Sequence, residues 1–252
     1  MKTRPFVWVV AVSLLSTVVA CTQEIPVGTV LPIMTSTTVS VSKSKPGDRI
    51  SGRLMQDVFL PSGQKISAGA RVEGQVVESS IDSASGGARL SVRFDRLISG
   101  KNAFDTNVSL RALASMQEVF FAQLPTNNFD EYGTTISDWT TVQVGGAAVY
   151  RGDGTVREAL DIVGHATHYG AVTAKLIPTP KQGCPGRAPG TTREQSLWVF
   201  SPWACGTYGF DELKIAHQRV TAPVGTIELI APAPFQVRAG SGWLLLVVPT
   251  GN

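Results

Sequence analysis

From Ala88 to Leu97 the chain alternates between apolar and polar positions. Leu90, Val92 and Phe94 fall on one face, and Arg89, Ser91, Arg93 and Asp95 on the other. A period of two over this length predicts a half-buried β-strand. Shorter runs repeat the pattern. Thr37 to Ser42, Ile50 to Leu60 and Phe104 to Ala112 read as extended. Gln64 to Val76 reads as a short strand, a tight glycine turn and a longer strand. Turns separate them at Lys45 to Asp48, Pro61 to Gly63, Asp82 to Gly87 and Ser99 to Asn102, where Pro, Gly, Asp and Asn reverse the chain.

One segment breaks the period. Ser115 and Glu118 have capping-box spacing, and Met116, Val119, Phe120 and Leu124 recur at helical intervals before Pro125. This predicts a single helix over 115–124, its apolar face packed over an open end of the preceding β module. A membrane-surface helix is the alternative, but its polar face carries no basic residues. Beyond a loop-like stretch to 142, strands resume. Val149 to Val156 reads as a hairpin turning at Asp153-Gly154. Asp161 to Leu176 reads as a strand pair turning at Tyr169-Gly170. Leu197 to Phe200, Ile215 to Val220, Thr226 to Ile230, Phe235 to Arg238 and Trp243 to Val248 complete the set. The expected fold class is all-β: a barrel-like module over 25–112, a helix and linker over 113–141, and a second β domain, sandwich or barrel, over 142–252.

The N-terminus has a different pattern. Lys2 and Arg4 precede an apolar run from Phe6 to Leu15, broken only by Ser13, which is too short to span a bilayer. Ser16-Thr17 follows, then Val18-Val19-Ala20-Cys21. These four residues resemble the bacterial lipobox. That resemblance implies a signal peptide over 1–20, diacylation of the Cys21 thiol, and acylation of its amino group after cleavage. Residues 21–24 would be the tether. Each buried CH2 adds about 0.8 kcal/mol of membrane affinity, so two or three chains hold far better than one. Thr22, rather than Asp, resembles the outer-membrane sorting class and implies a lipid-anchored protein on the periplasmic face or the cell surface. The alternative is a secretory leader cut after Ala20, with Cys21 an incidental thiol.

Composition agrees with an exported β protein. The leader holds two of the 22 basic residues, leaving 20 against 19 acidic ones. No basic run appears, and nucleic acid is not an expected partner. Charged residues make up 16%, while Gly (25) and Pro (15) are plentiful, which favours short strands and tight turns. Export puts Cys184 and Cys205 in an oxidising space, where a pair reads as a disulfide. Closing their loop contributes about 3 kcal/mol on the chain-entropy model. A metal site is the rival, with His168 and His217 the nearest histidines.

Residues 25–112 also resemble the β-barrel module of TrbI-type scaffold proteins of type IV secretion and conjugation channels. The residues that carry this are Ile25 to Val30, Asp57 to Phe59, Ile66 to Val76 and Arg89 to Leu97. The likeness implies a barrel-like fold in an envelope setting. Ser67 stands where that family tends to have Pro, and neither a Pro-rich linker nor an inner-membrane helix accompanies the module.

The search for chemistry yields no catalytic constellation, cofactor or metal motif. His165 and His168 would share a face in a helix but point apart in a strand. No HExxH, CxxC or calcium loop occurs. Gly240-Ser241-Gly242 is turn chemistry, not a nucleophile elbow. The adjacent acids Asp130-Glu131 and Asp211-Glu212 read as solvated loop residues, and Arg151-Gly152-Asp153 as an incidental adhesion tripeptide. Trp198, Phe200, Trp203, Tyr208 and Phe210 crowd around Cys205. They read either as a small core stapled by the disulfide, or as a carbohydrate- or peptide-binding surface led by Trp198, Trp203 and Tyr208. The expected function is a non-catalytic interaction or scaffold role with envelope protein partners. A binding module and a hydrolase built on His165, His168 or His217 are the alternatives.

Overall fold

The computed structural model describes residues 24–126, 140–167, 171–178, 189–216 and 224–250. The chain begins with β1 (Val30–Thr35), β2 (Val39–Ser40), β3 (Arg49–Leu54), β4 (Val58–Phe59), β5 (Lys65–Ile66), β6 (Arg71–Ile81), β7 (Ala88–Ser99), β8 (Asn102–Asp105) and β9 (Val108–Ala114). Helix α1 (Met116–Phe121) follows. Next come β10 (Thr140–Val142), β11 (Ala148–Tyr150), β12 (Thr155–Glu158), β13 (Asp161–Ala166), β14 (Val172–Ala174) and β15 (Gln195–Ser196). The chain closes with β16 (Gly206–Tyr208), β17 (Lys214–Ala216), β18 (Thr226–Ala231), β19 (Gln236–Val237) and β20 (Gly242–Val247).

One sheet dominates. Its order is β16-β9-β20-β1-β3-β6-β7-β18-β17, with β8 paired to β7. The end strands β16 and β17 come together across a short connection, so the sheet is nearly closed into a barrel. Thr207 Oγ1 in β16 donates to the Leu213 carbonyl at 2.5 Å and pins that connection. Closure leaves few unpaired strand edges. The boundary expected at residue 112 does not follow this sheet. β16, β17, β18 and β20 come from the later half, yet they pair with β7, β9 and β1. The cause is non-local pairing: an apolar strand such as β20, buried on both faces, stabilises a sheet wherever it stands in the sequence.

A second sheet, β10 to β15 in sequence order, lies against the outside of the barrel. Strand alternation sorts side chains between two cores. From β20, Trp243, Leu245 and Val247 point into the barrel, and Leu244 and Leu246 point toward the second sheet. Trp243 meets Phe94 edge-on inside the barrel, with ring centroids 5.5 Å apart. Polar side chains join the layers. Gln195 Oε1 accepts from the Val30 amide at 3.2 Å, and Gln56 Oε1 accepts from the Trp198 amide at 2.8 Å.

The long alternating strand is present as β7, with one change. Glu73 faces Arg96 and Gly74 faces Phe94, so a bulge leaves Asp95 as the extra residue. Phe94 and Leu97 both stay inside, while Asp95 and Arg96 both face out. Leu197 to Phe200, expected as a strand, instead turns. Trp198 has φ +53°, and the Phe200 amide donates to the Leu197 carbonyl at 3.0 Å.

Candidate functional site

A second bulge organises the junction between barrel and outer sheet. Leu245 faces Leu110 and Leu244 faces Ala112, so Arg111 is the extra residue of β9. Leu110 and Leu113 enter the barrel core. Arg111 turns outward and is buried at 4% exposure against Ile177, Pro189, Pro202 and Ala204. Four of its five N–H donors go to backbone carbonyls. Nε donates to Ala204 at 3.0 Å, Nη2 to Ile177 at 2.6 Å and to Pro202 at 3.2 Å, and Nη1 to Pro189. Burial pushes its pKa down to about 10. Burial likewise pushes the Tyr208 phenol up, against the pull of the Cys205 amide, which donates to its hydroxyl at 3.0 Å, and of the Arg111 charge. No motif marks Arg111. The one signal in the sequence is a basic residue inside a mostly apolar strand.

The aromatic group lies around this junction. Trp198 (4% exposed) and Phe200 (fully buried) belong to the core between the sheets, so Trp198 has no face to offer a ligand. Trp203 and Tyr208 are half-buried against the same core, and Phe210 packs against the barrel core. Cys205 is buried. Cys21, Cys184, His168, His217 and Asp130-Glu131 lie outside the described residues. His165 is exposed, its Nε2 4.0 Å from the Glu194 carboxylate. Among the described residues no group of three His, Cys, Asp or Glu side chains is placed to hold a metal ion. Asp211 and Glu212 are exposed. The Asp153 carboxylate is held by the Thr155 amide and hydroxyl (2.9 and 2.6 Å) and by Arg157, which keeps its pKa below the usual carboxylate range. Arg151 donates to Thr141 Oγ1 at 3.2 Å, so neither charged side chain of the adhesion-like tripeptide projects freely.

The surface that stands out is α1. Ser115 caps it as the spacing predicts, its hydroxyl accepting from the Glu118 amide at 3.3 Å. The expected packing does not follow. Val119 and Ala122 are buried, and they join the core between the sheets rather than closing the barrel end. Met116, Phe120, Phe121 and Leu124 are exposed at 50%, 58%, 51% and 41%. The helix is too short for both flanks of its apolar arc to reach the core, and the side facing Gly242 is already filled by Val119, Phe200 and Trp198. Adjacent exposed apolar side chains on one short element are characteristic of interaction surfaces.

This surface lies opposite the chain's entry. The Gly28 amide donates to the Val247 carbonyl, and Val247 pairs with Val108 at the start of β9. Helix α1 leaves the far end of β9, where Ala114 pairs with Gly242. Seven strand residues separate the two rims by about 20 Å. No protein-family model matches this chain, and a search of curated proteins found no significant match.

Proposed function

We propose that this chain is a lipid-anchored envelope protein that holds a protein partner and does not catalyse a reaction. The observation that carries this reading is the exposed Met116, Phe120, Phe121 and Leu124 surface, set on the barrel rim opposite the one where Gly28 meets Val247. The leader supports the anchor: Lys2 and Arg4, the apolar run, and the lipobox-like Val18-Val19-Ala20-Cys21. With Cys21 acylated, the described body starts three residues later at Glu24, which keeps the entry rim beside the bilayer and turns α1 outward. The outer leaflet or the periplasmic face of an outer membrane fits Thr22. A Cys184–Cys205 bridge fits a buried Cys205 whose neighbours Pro202 and Ala204 accept, with Pro189, from Arg111. The barrel suits a scaffold role of the TrbI-type kind. A carbohydrate or peptide held on Trp198, Trp203 and Tyr208 is the weaker reading, because Trp198 is sealed in the core.

Metabolic labelling with a clickable palmitate analogue tests the anchor. Label on the wild-type chain, lost in Cys21→Ser together with membrane association, is the expected result. An unlabelled mature chain would sink the proposal.

A further inference from the structure

The β7 bulge carries a second, different arginine. Asp95 and Arg96 both face outward there, on the barrel wall formed by β3, β6 and β7. The wall is concave at this point. A cleft of about 550 Å³ runs over Arg49, Ser51, Glu73, Gln75 and Arg96, and a neighbouring one of about 430 Å³ shares Asp95 and Arg96 with it. These volumes are within the range of small-molecule sites.

The charges on this wall are unbalanced. Arg49, Arg53, Arg71, Arg93 and Arg96 face it, against Glu73, Asp95 and, across the β7–β8 pairing, Asp105. Five positive against three negative leaves an excess of two. Arg71 pairs with Glu73 at 3.0 Å and Arg93 with Asp95 at 3.4 Å. The Arg49 and Arg96 side chains have no hydrogen bond or ion pair among the described residues. The Arg93 Nε–H is buried with no acceptor. Arg53 sits directly across from Arg71 in the β3–β6 register. Like charges opposite one another destabilise a sheet, so the arrangement costs stability unless something anionic lies over it.

We infer that this wall binds a small ligand bearing two or more phosphate or carboxylate groups, with Arg49 and Arg96 as its two principal contacts. They are separated by two strand spacings and an offset of two residues along the strands, about 12 Å, and side chains of this length can converge on one polyvalent anion. Planar guanidinium forks suit both oxyanions, and a buried arginine committed to backbone carbonyls, such as Arg111, could not serve. The bulge supplies the geometry by turning two consecutive side chains to the same face. Gly74 supports it, since a Cβ there would run into the Arg93 carbonyl.

Isothermal titration of the full chain in detergent, with pyrophosphate and with citrate, tests the site. Binding of either probe is expected, pyrophosphate alone marking a phosphate site and citrate alone a carboxylate site. Binding should weaken at least tenfold in Arg49→Ala/Arg96→Ala and less than twofold in Lys175→Ala, an exposed cation just after β14 and away from this wall. Added salt should weaken it. Arg96→Gln, expected to weaken binding at least threefold, replaces the double variant if that chain does not fold. Absence of binding by both probes, wild-type affinity in the arginine variants, or an equal loss in Lys175→Ala overturns the inference. The outcome does not depend on lipidation or on α1.

Discussion

Two bulges in one barrel put an arginine outside, and the two arginines have opposite fates. In β9 the bulge turns Arg111 under the outer sheet, where four backbone carbonyls absorb its donors. In β7 the bulge turns Arg96 onto open wall, where no described residue makes a hydrogen bond or ion pair with its side chain. The same backbone device thus serves cohesion in one place and display in the other. What decides is the surroundings. A buried cation must be matched donor by donor, because an unmatched charge in a low-dielectric site is very costly. An exposed cation is solvated and remains available.

Replacing each arginine should separate the two roles. Arg111→Met leaves the Ala204, Pro202, Ile177 and Pro189 carbonyls without their donors, and a loss of about 3 kcal/mol is expected in urea denaturation. The loss should be local. Hydrogen exchange over 189–205 should rise far more than exchange in β6 and β7. Arg111→Lys should rescue little, because one ammonium cannot match the fork. Gly74→Ala strikes the other bulge, forcing β6 away from the Arg93 carbonyl, and should cost about 1–3 kcal/mol. Arg71→Thr removes the cation facing Arg53 but also the Arg71–Glu73 ion pair, and the two small effects should nearly cancel, leaving stability within about 0.5 kcal/mol of wild type. Arg96→Ala should leave stability within about 0.5 kcal/mol of wild type, as for an exposed residue whose side chain makes no hydrogen bond or ion pair among the described residues. A large loss in that variant would show that the two bulges are not distinct in kind.

The sequence revealed the barrel better than its boundaries. Leu90, Val92 and Phe94 could be read as one face because period two is a local signal. The Ser115 cap was legible for the same reason. Closure by β18 and β20 was not, because pairing across more than a hundred residues leaves no local trace. The bulges escaped notice too. A bulge is defined by the partner strand, and Asp95-Arg96 or Arg111 alone reads as ordinary strand. Helix α1 shows the opposite failure. Its apolar spacing was real, but spacing says which side chains share a face and not whether a neighbour covers that face. The aromatic crowd around Cys205 was visible in the sequence, whereas the burial of Trp198 depended on a turn with positive φ that the apolar run concealed.

The central claim is orientational: the N-terminal rim lies at the membrane and α1 faces away from it. Depth-dependent quenching in proteoliposomes containing brominated lipids tests this most directly, with an environment-sensitive fluorophore at Val27→Cys or Phe120→Cys of the lipidated chain. The account predicts strong quenching at position 27, exposed beside the entry rim, and almost none at position 120. Quenching at 120 as strong as at 27 would place the helix in the bilayer surface and contradict it.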